Sequence, residues 1–124
     1  MMCGAIYSTS LLGDCVRDRQ LLSLEEAVHQ LTDVPASYYG LRGRGRIAEG
    51  WAADLVVFDP DRIGHGPEHT KDDLPGGASR LYADANGVVS VLVNGTEIVR
   101  DGSFTGATPG TVIRSGRDTA KGGR

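Results

Sequence analysis

Apolar side chains recur at Leu24, Ala27, Val28 and Leu31, the i, i+3, i+4, i+7 spacing that lays one stripe along a helix. The preceding Ser23-Leu24-Glu25-Glu26 reads as a capping box, with the serine oxygen accepting from a first-turn amide while Glu26 reaches back to the Ser23 amide. The helix should end near Asp33, because Pro35 disfavours a helical Val34. A second short helix is expected over Ala36 to Tyr39, with Pro35 near its first turn and Gly40 as its stop. Thr9 to Arg19 is a further helical candidate.

After Gly40 the period changes. Leu55 to Phe58 is an unbroken apolar run bracketed by Asp54 and Asp59-Pro60, the form of a strand buried on both faces and stopped by a residue without an amide donor. VVSVLV-NG-TEIVRDG reads as a hairpin in which Asn94-Gly95 supplies the two positive φ angles of a type I′ turn. That register puts Val89, Val91 and Val93 on one face with Thr96, Ile98 and Arg100, and Val88, Ser90 and Leu92 on the other with Glu97, Val99 and Asp101. Gly102 to Gly110 should make further turns, and Val112-Ile113 is a candidate last strand. IGHGPEHTKDDLPGG, Ile63 to Gly77, reads as a long surface loop, and RSGRDTAKGGR as a disordered tail. The expected fold class is α+β: a helical segment at 1–44, a small antiparallel β-domain at 45–113 with a long loop at 63–77, and a tail at 114–124.

At 124 residues the chain holds one core, and its net charge of −3 argues against a nucleic-acid partner. Eighteen glycines, concentrated after Gly40, fit many tight turns between short strands. Cys3 and Cys15 form no CxxC pair and read as reduced thiols. MMCGAIYSTSLLG fails the secretory pattern, since its first basic residue, Arg17, comes after the apolar stretch, and no run approaches the length of a membrane span. A cytoplasmic protein with no membrane partner is the expectation.

Residue by residue, the chain offers no evident active site. His65 and His69 have helical ligand spacing, but Gly64, Gly66 and Pro67 argue against a helix there. His29 lies off the apolar stripe and should face solvent. Asp72-Asp73 and Glu25-Glu26 are sequence neighbours, which rarely face one site. No G-x-S-x-G elbow is present, and LPGGAS and GLRGRG lack the lysine of a phosphate loop. Arg42-Gly-Arg44-Gly-Arg46 reads as a solvated connector. No catalytic, cofactor-binding or metal-ligating residue is assigned.

GLRGRGRIAEGWAADLVVFDP nonetheless resembles the segment R-G-x-I-x-x-G-x-x-A-D-L-V-V-F-D found where amidohydrolase-superfamily enzymes leave their barrel and enter a small β-domain. YSTSLLGDCVRDRQLLSLEEAVHQLTDVPASYYGL and DDLPGGASRLY with GVVSVLVNGTEIVRDGSFTGATPG resemble, more narrowly, the C-terminal part of D-aminoacylases, or N-acyl-D-amino-acid deacylases. The resemblance implies a parent enzyme whose (β/α)8 barrel holds one or two zinc ions, activates a water and hydrolyses the amide of an N-acyl-D-amino acid. It implies that this chain corresponds to the last barrel helices plus the β-domain, with the zinc ligands in sequence preceding Met1. Asp14, Asp54 and Asp59 then match positions that the family does not use for catalysis. The expectation is a segment inactive alone, with no cofactor of its own, and with either a second copy or a separately encoded barrel chain as partner. The alternative is a stand-alone, non-catalytic binding or assembly module; residual hydrolysis through His65, His69 and a cysteine is a third reading.

Overall fold

A computed structural model describes residues 6–120. Helical pieces come first. The α1 helix (Tyr7–Ser10) runs on into a π-helical stretch, Leu11–Asp18, whose wider turns are rare outside special packing environments. α2 (Leu24–Leu31) begins at Ser23, whose hydroxyl accepts from the Glu26 amide at 3.1 Å. The return half of the capping box is absent, because Glu26 Oε1 instead accepts from Gln30 Nε2 at 2.7 Å. Thr32, at φ −123 and ψ −77, breaks the helix short of Asp33. α3 (Asp33–Tyr38) then starts three residues earlier than the sequence suggests and holds Pro35 in its first turn, where the missing N–H costs no internal bond. Gly40, at φ 65, stops it, and the Leu41 amide donates to Ala36 O at 2.8 Å, closing the helix end.

The rest is antiparallel β-structure: β1 (Leu55–Phe58), β2 (Gly64–His65), β3 (His69–Leu74), β4 (Ala78–Tyr82), β5 (Ala85–Asn86), β6 (Val88–Val93), β7 (Thr96–Arg100) and β8 (Ser103–Phe104). Together with the helices this makes an α+β fold. The main sheet has the order β1-β6-β7-β8; β2 pairs with β5, and β3 with β4. The β6–β7 turn is made by Asn94 and Gly95, at φ 48 and 77. Val93 faces Thr96 and Leu92 faces Glu97, but Val91 then faces Val99 and Ser90 faces Arg100. A bulge at Ile98 therefore shifts the expected facing pairs by one residue beyond Glu97, which an unbroken two-residue-turn register does not allow for.

Four expectations are corrected. The 63–77 stretch is not a loop: Ile63 is buried, and β2 and β3 take up most of the residues between it and Leu74. β1 is not buried on both faces, since it lies at a sheet edge with Val56 56% and Val57 50% exposed. Val112-Ile113 forms no strand; among the described residues the last strand is β8. Within the tail, residues 114–120 are ordered by contacts of their own: residues 115–118 form a turn, Leu41 bridges Thr119, and the Ala120 amide donates to Gly40 O at 2.7 Å. Polar side chains bury little here, so hydrogen bonds hold the segment, both between backbone groups and from the Arg114 and Gly116 amides to the Asp118 and Thr119 side chains. The remaining tail residues, 121–124, lie outside the described part.

The core is small and sits where helices meet sheet. Leu12, Ala27 and Ile63 are buried together, with Leu11, Val16, Leu22, Leu24, Leu31, Phe58 and Val88 packed around them. Arg17 reaches across from the π-helical run and donates through Nη1 to Ile63 O. On the other side of Ile63, Gly87 at φ 73 lies so close that an added Cβ would stand 2.6 Å from Ile63 N. The chain therefore pins Ile63 by backbone contact as well as by apolar packing.

Candidate functional site

The two aspartates that bracket β1 are structural. Asp54 Oδ1 accepts from the Asn94 amide at 2.9 Å, and its Oδ2 accepts from Arg44 Nη1. Partial burial pushes this carboxyl upward, yet the Asn94 amide and the Arg44 guanidinium outweigh it and hold Asp54 below the usual carboxylate range. Asp59 Oδ1 accepts from the Asp61 amide at 2.9 Å and its carbonyl from the Ile63 amide at 2.8 Å, so it shapes the turn that delivers Ile63 to the core. One aspartate ties the connector to the hairpin turn and the other ends the strand.

The histidines do not converge. His65, on β2, places Nδ1 2.9 Å from Gly66 O and Nε2 3.9 Å from Asp14 Oδ2. His69, on β3, packs edge-on against Tyr82 with ring centroids 5.7 Å apart. They belong to separate two-stranded sheets. His29 is half-exposed between Glu26 and Asp33, with Nε2 3.3 Å from Asp33 Oδ2. Cys15 is a partly buried free thiol, and Cys3 lies outside the described residues. Asp73 is spent on a two-point ion pair with Arg80, at 2.6 and 2.7 Å. Among the described residues no three His, Cys, Asp or Glu side chains gather to hold a metal ion. The donor set of the described residues thus does not make up a zinc centre of the kind the resemblance implies for the parent enzyme.

The feature that sequence reading missed is a cleft of about 540 Å³ between the turn at 41–44 and the returning 111–118 segment. Arginines 42, 44 and 117 line it together with Leu41, Val112, Ile113 and Asp118. The alternating RGRGR tract was the available signal. Its partner wall was hidden because nothing in RSGRDTAKGGR announces that it folds back.

The sequence pattern of the amidohydrolase family matches residues 3–99, and the chain belongs to that family. Its matches include D-aminoacylase-like members. It is 39% identical over 109 residues to N-acyl-D-aspartate deacylase of Alcaligenes xylosoxydans xylosoxydans, covering 87% of this chain and 20% of that protein. It is 37% identical over 105 residues to D-aminoacylase of the same organism, covering 83% of this chain and 19% of that protein. A crystal structure of D-aminoacylase, described as defining a novel subset of amidohydrolases, superposes with a TM-score of 0.63 at 37% identity over 81% of this chain and 19% of its own. A second D-aminoacylase structure, with the same TM-score and coverage, concerns the functional role of that enzyme's binuclear metal centre. The chain therefore spans about a fifth of the length of the relatives it matches. Among the described residues no helix is long and apolar enough to cross a membrane.

Proposed function

We propose that this chain is the C-terminal segment of a D-aminoacylase-like amidohydrolase, in which α1 to α3 are the last helices of a (β/α)8 barrel and the main sheet is the small β-domain. The parent reaction is zinc-dependent hydrolysis of the amide of an N-acyl-D-amino acid, and this segment, without the metal-bearing barrel, is inactive by itself. The single observation that carries the reading is the 39% identity extending over 87% of this chain but only 20% of the deacylase. The test is direct: purify the chain with zinc and assay N-acetyl-D-amino acids, the aspartate and glutamate derivatives included. No turnover is expected. Activity that disappears in His65→Ala and His69→Ala would overturn the proposal.

The segment's role is then structural, and its partner is either a barrel encoded separately or a second copy. Support comes from the edge strand β1, where Val56 and Val57 are half exposed, and from Phe104 at the opposite edge, 83% exposed. Uncovered aliphatic side chains forgo about 1.5–3 kcal/mol each, against a typical total stability of about 5–15. The same exposed edges favour the second reading, a stand-alone assembly module without catalysis. The DNA immediately upstream separates the two: an open frame encoding a histidine-rich barrel supports the enzyme segment, and unrelated sequence supports the module.

A further inference from the structure

We propose that the cleft between the turn at 41–44 and the 111–118 segment binds a small organic carboxylate carrying a short aliphatic tail. The carboxylate would sit on Arg42 and Arg117, and the tail on Leu41, Val112 and Ile113. This assignment is independent of the parent reaction.

The guanidinium donors around the cleft are unequally committed. Arg44 is fully engaged, through Nη1 to Asp54 and Nη2 to Asn94 Oδ1 at 2.7 Å. Arg117 gives Nε and Nη2 to Asp118, at 2.9 and 2.7 Å. Arg42 makes no ion pair or side-chain hydrogen bond among the described residues. It nonetheless lies near enough to Asp118 to help hold that carboxyl low, after the larger effects of the Arg117 guanidinium and the Arg114 amide. With Arg44 paired to Asp54 and Arg117 to Asp118, Arg42 leaves one uncompensated positive charge on the lining of this cleft, on a chain whose net charge is −3. A small anion is attracted to that charge.

Shape and chemistry narrow the ligand. The cleft is half open to solvent, with Val112 74% exposed, and its volume of about 540 Å³ lies within the usual range for small-molecule sites. A bare inorganic anion would leave Leu41, Val112 and Ile113 unused, whereas an aliphatic acid engages both sides. The planar fork of Arg42, which makes no hydrogen bond among the described residues, matches a carboxylate in two-point geometry, and Arg117, whose Nε and Nη2 are held by Asp118, can add only its remaining Nη1. The tail wall is fixed in place by the Leu41–Thr119 bridge, by the Arg114 amide on Asp118 Oδ2 at 2.8 Å and by the Gly116 amide on Thr119 Oγ1 at 3.0 Å.

Amide NMR of the full chain, titrated separately with hexanoate, hexanamide and inorganic phosphate, tests this. Hexanoate should move the signals of residues 41–44 and 111–118 saturably, with hexanamide and phosphate about tenfold weaker or worse. Arg42→Gln should weaken hexanoate about tenfold while leaving the rest of the spectrum in place, because Arg42 holds no bond that the fold uses. Val112→Ala should weaken hexanoate and leave phosphate unchanged. The proposal is overturned by the absence of a saturable response, by equal binding to Arg42→Gln, by phosphate matching hexanoate, or by loss of the sheet in the isolated chain.

Discussion

Arg46 and Asp33 lie thirteen residues apart and meet in a two-point ion pair, Nε to Oδ1 at 2.6 Å and Nη2 to Oδ2 at 2.8 Å. The pair fastens the glycine-rich connector to the first turn of α3, where a carboxylate is also favoured by the helix's own amides.

That geometry makes stability depend on acidity. The Arg46 hydrogen bonds hold the Asp33 carboxyl below its ordinary value, with smaller help from Ser37 and His29. A carboxyl depressed by folding contributes fully above its unfolded value of about 3.9, and the contribution is lost as the pH falls through the lower folded value. Asp33→Asn should therefore be less stable than the parent near neutral pH, with the gap closing on acidification below about pH 4. Urea unfolding at neutral and acid pH measures it, and a pH-independent gap would show that the ion pair contributes nothing.

Gly87 at φ 73 presses against the backbone of Arg62 and Ile63. An alanine there must accept left-handed backbone at about 1–2 kcal/mol and must also move the 62–63 backbone. Gly87→Ala should lose at least that much in chemical denaturation. Gly102 also has positive φ, 75, but nothing stands within 4 Å of its would-be Cβ, so Gly102→Ala should cost only the backbone part.

Burial should separate two large apolar residues sharply. Ile63 is 2% exposed at the centre of the core, and Ile63→Ala should cost about 2–5 kcal/mol. Phe104 is 83% exposed, and Phe104→Ala should stay within about 0.5 kcal/mol in the isolated chain. If Phe104→Ala instead dissociated an oligomer, its ring would be part of the covered surface.

Asn94 combines φ 48 with two side-chain bonds, Nδ2 to Pro109 O at 2.9 Å and Oδ1 from Arg44 at 2.7 Å. Asn94→Gly keeps the turn and loses the bonds, at about 1 kcal/mol; Asn94→Ala loses both and should cost about 1 kcal/mol more. Thermal unfolding of the three proteins should rank them in that order.

How much of the fold was legible depends on what each residue faces. The Ser23 cap and the Asn94-Gly95 pair carry their geometry locally, so the start of α2 and the turn can be read from adjacent residues. β3 could not be read that way. His69-Thr70-Lys71-Asp72-Asp73-Leu74 lacks alternation because all six residues are exposed, and alternation is written only by a strand that buries one face. Cross-strand contacts hold it instead: Asp73 with Arg80, and Lys71 over the Tyr82 ring at 4.3 Å. The π-helical run and the bulge at Ile98 each depart from the regular period that a sequence pattern predicts. That His65 and His69 share no helix face was legible from the glycines and proline around them, whereas the arginine cleft needed the fold, since its walls are joined only by the returning tail.

The Ala120 amide on Gly40 O turns everything between them into a closed ring of backbone, with the sheet on its circumference and a single hydrogen-bonded clasp next to the helices. Because the entropy of closing such a ring rises only with the logarithm of its length, inserted residues in β3–β4 would hardly loosen the clasp. Cutting the chain beyond Ile113 would open it outright, leaving the sheet hinged to the helices through the 39–54 connector and the contacts at Ile63.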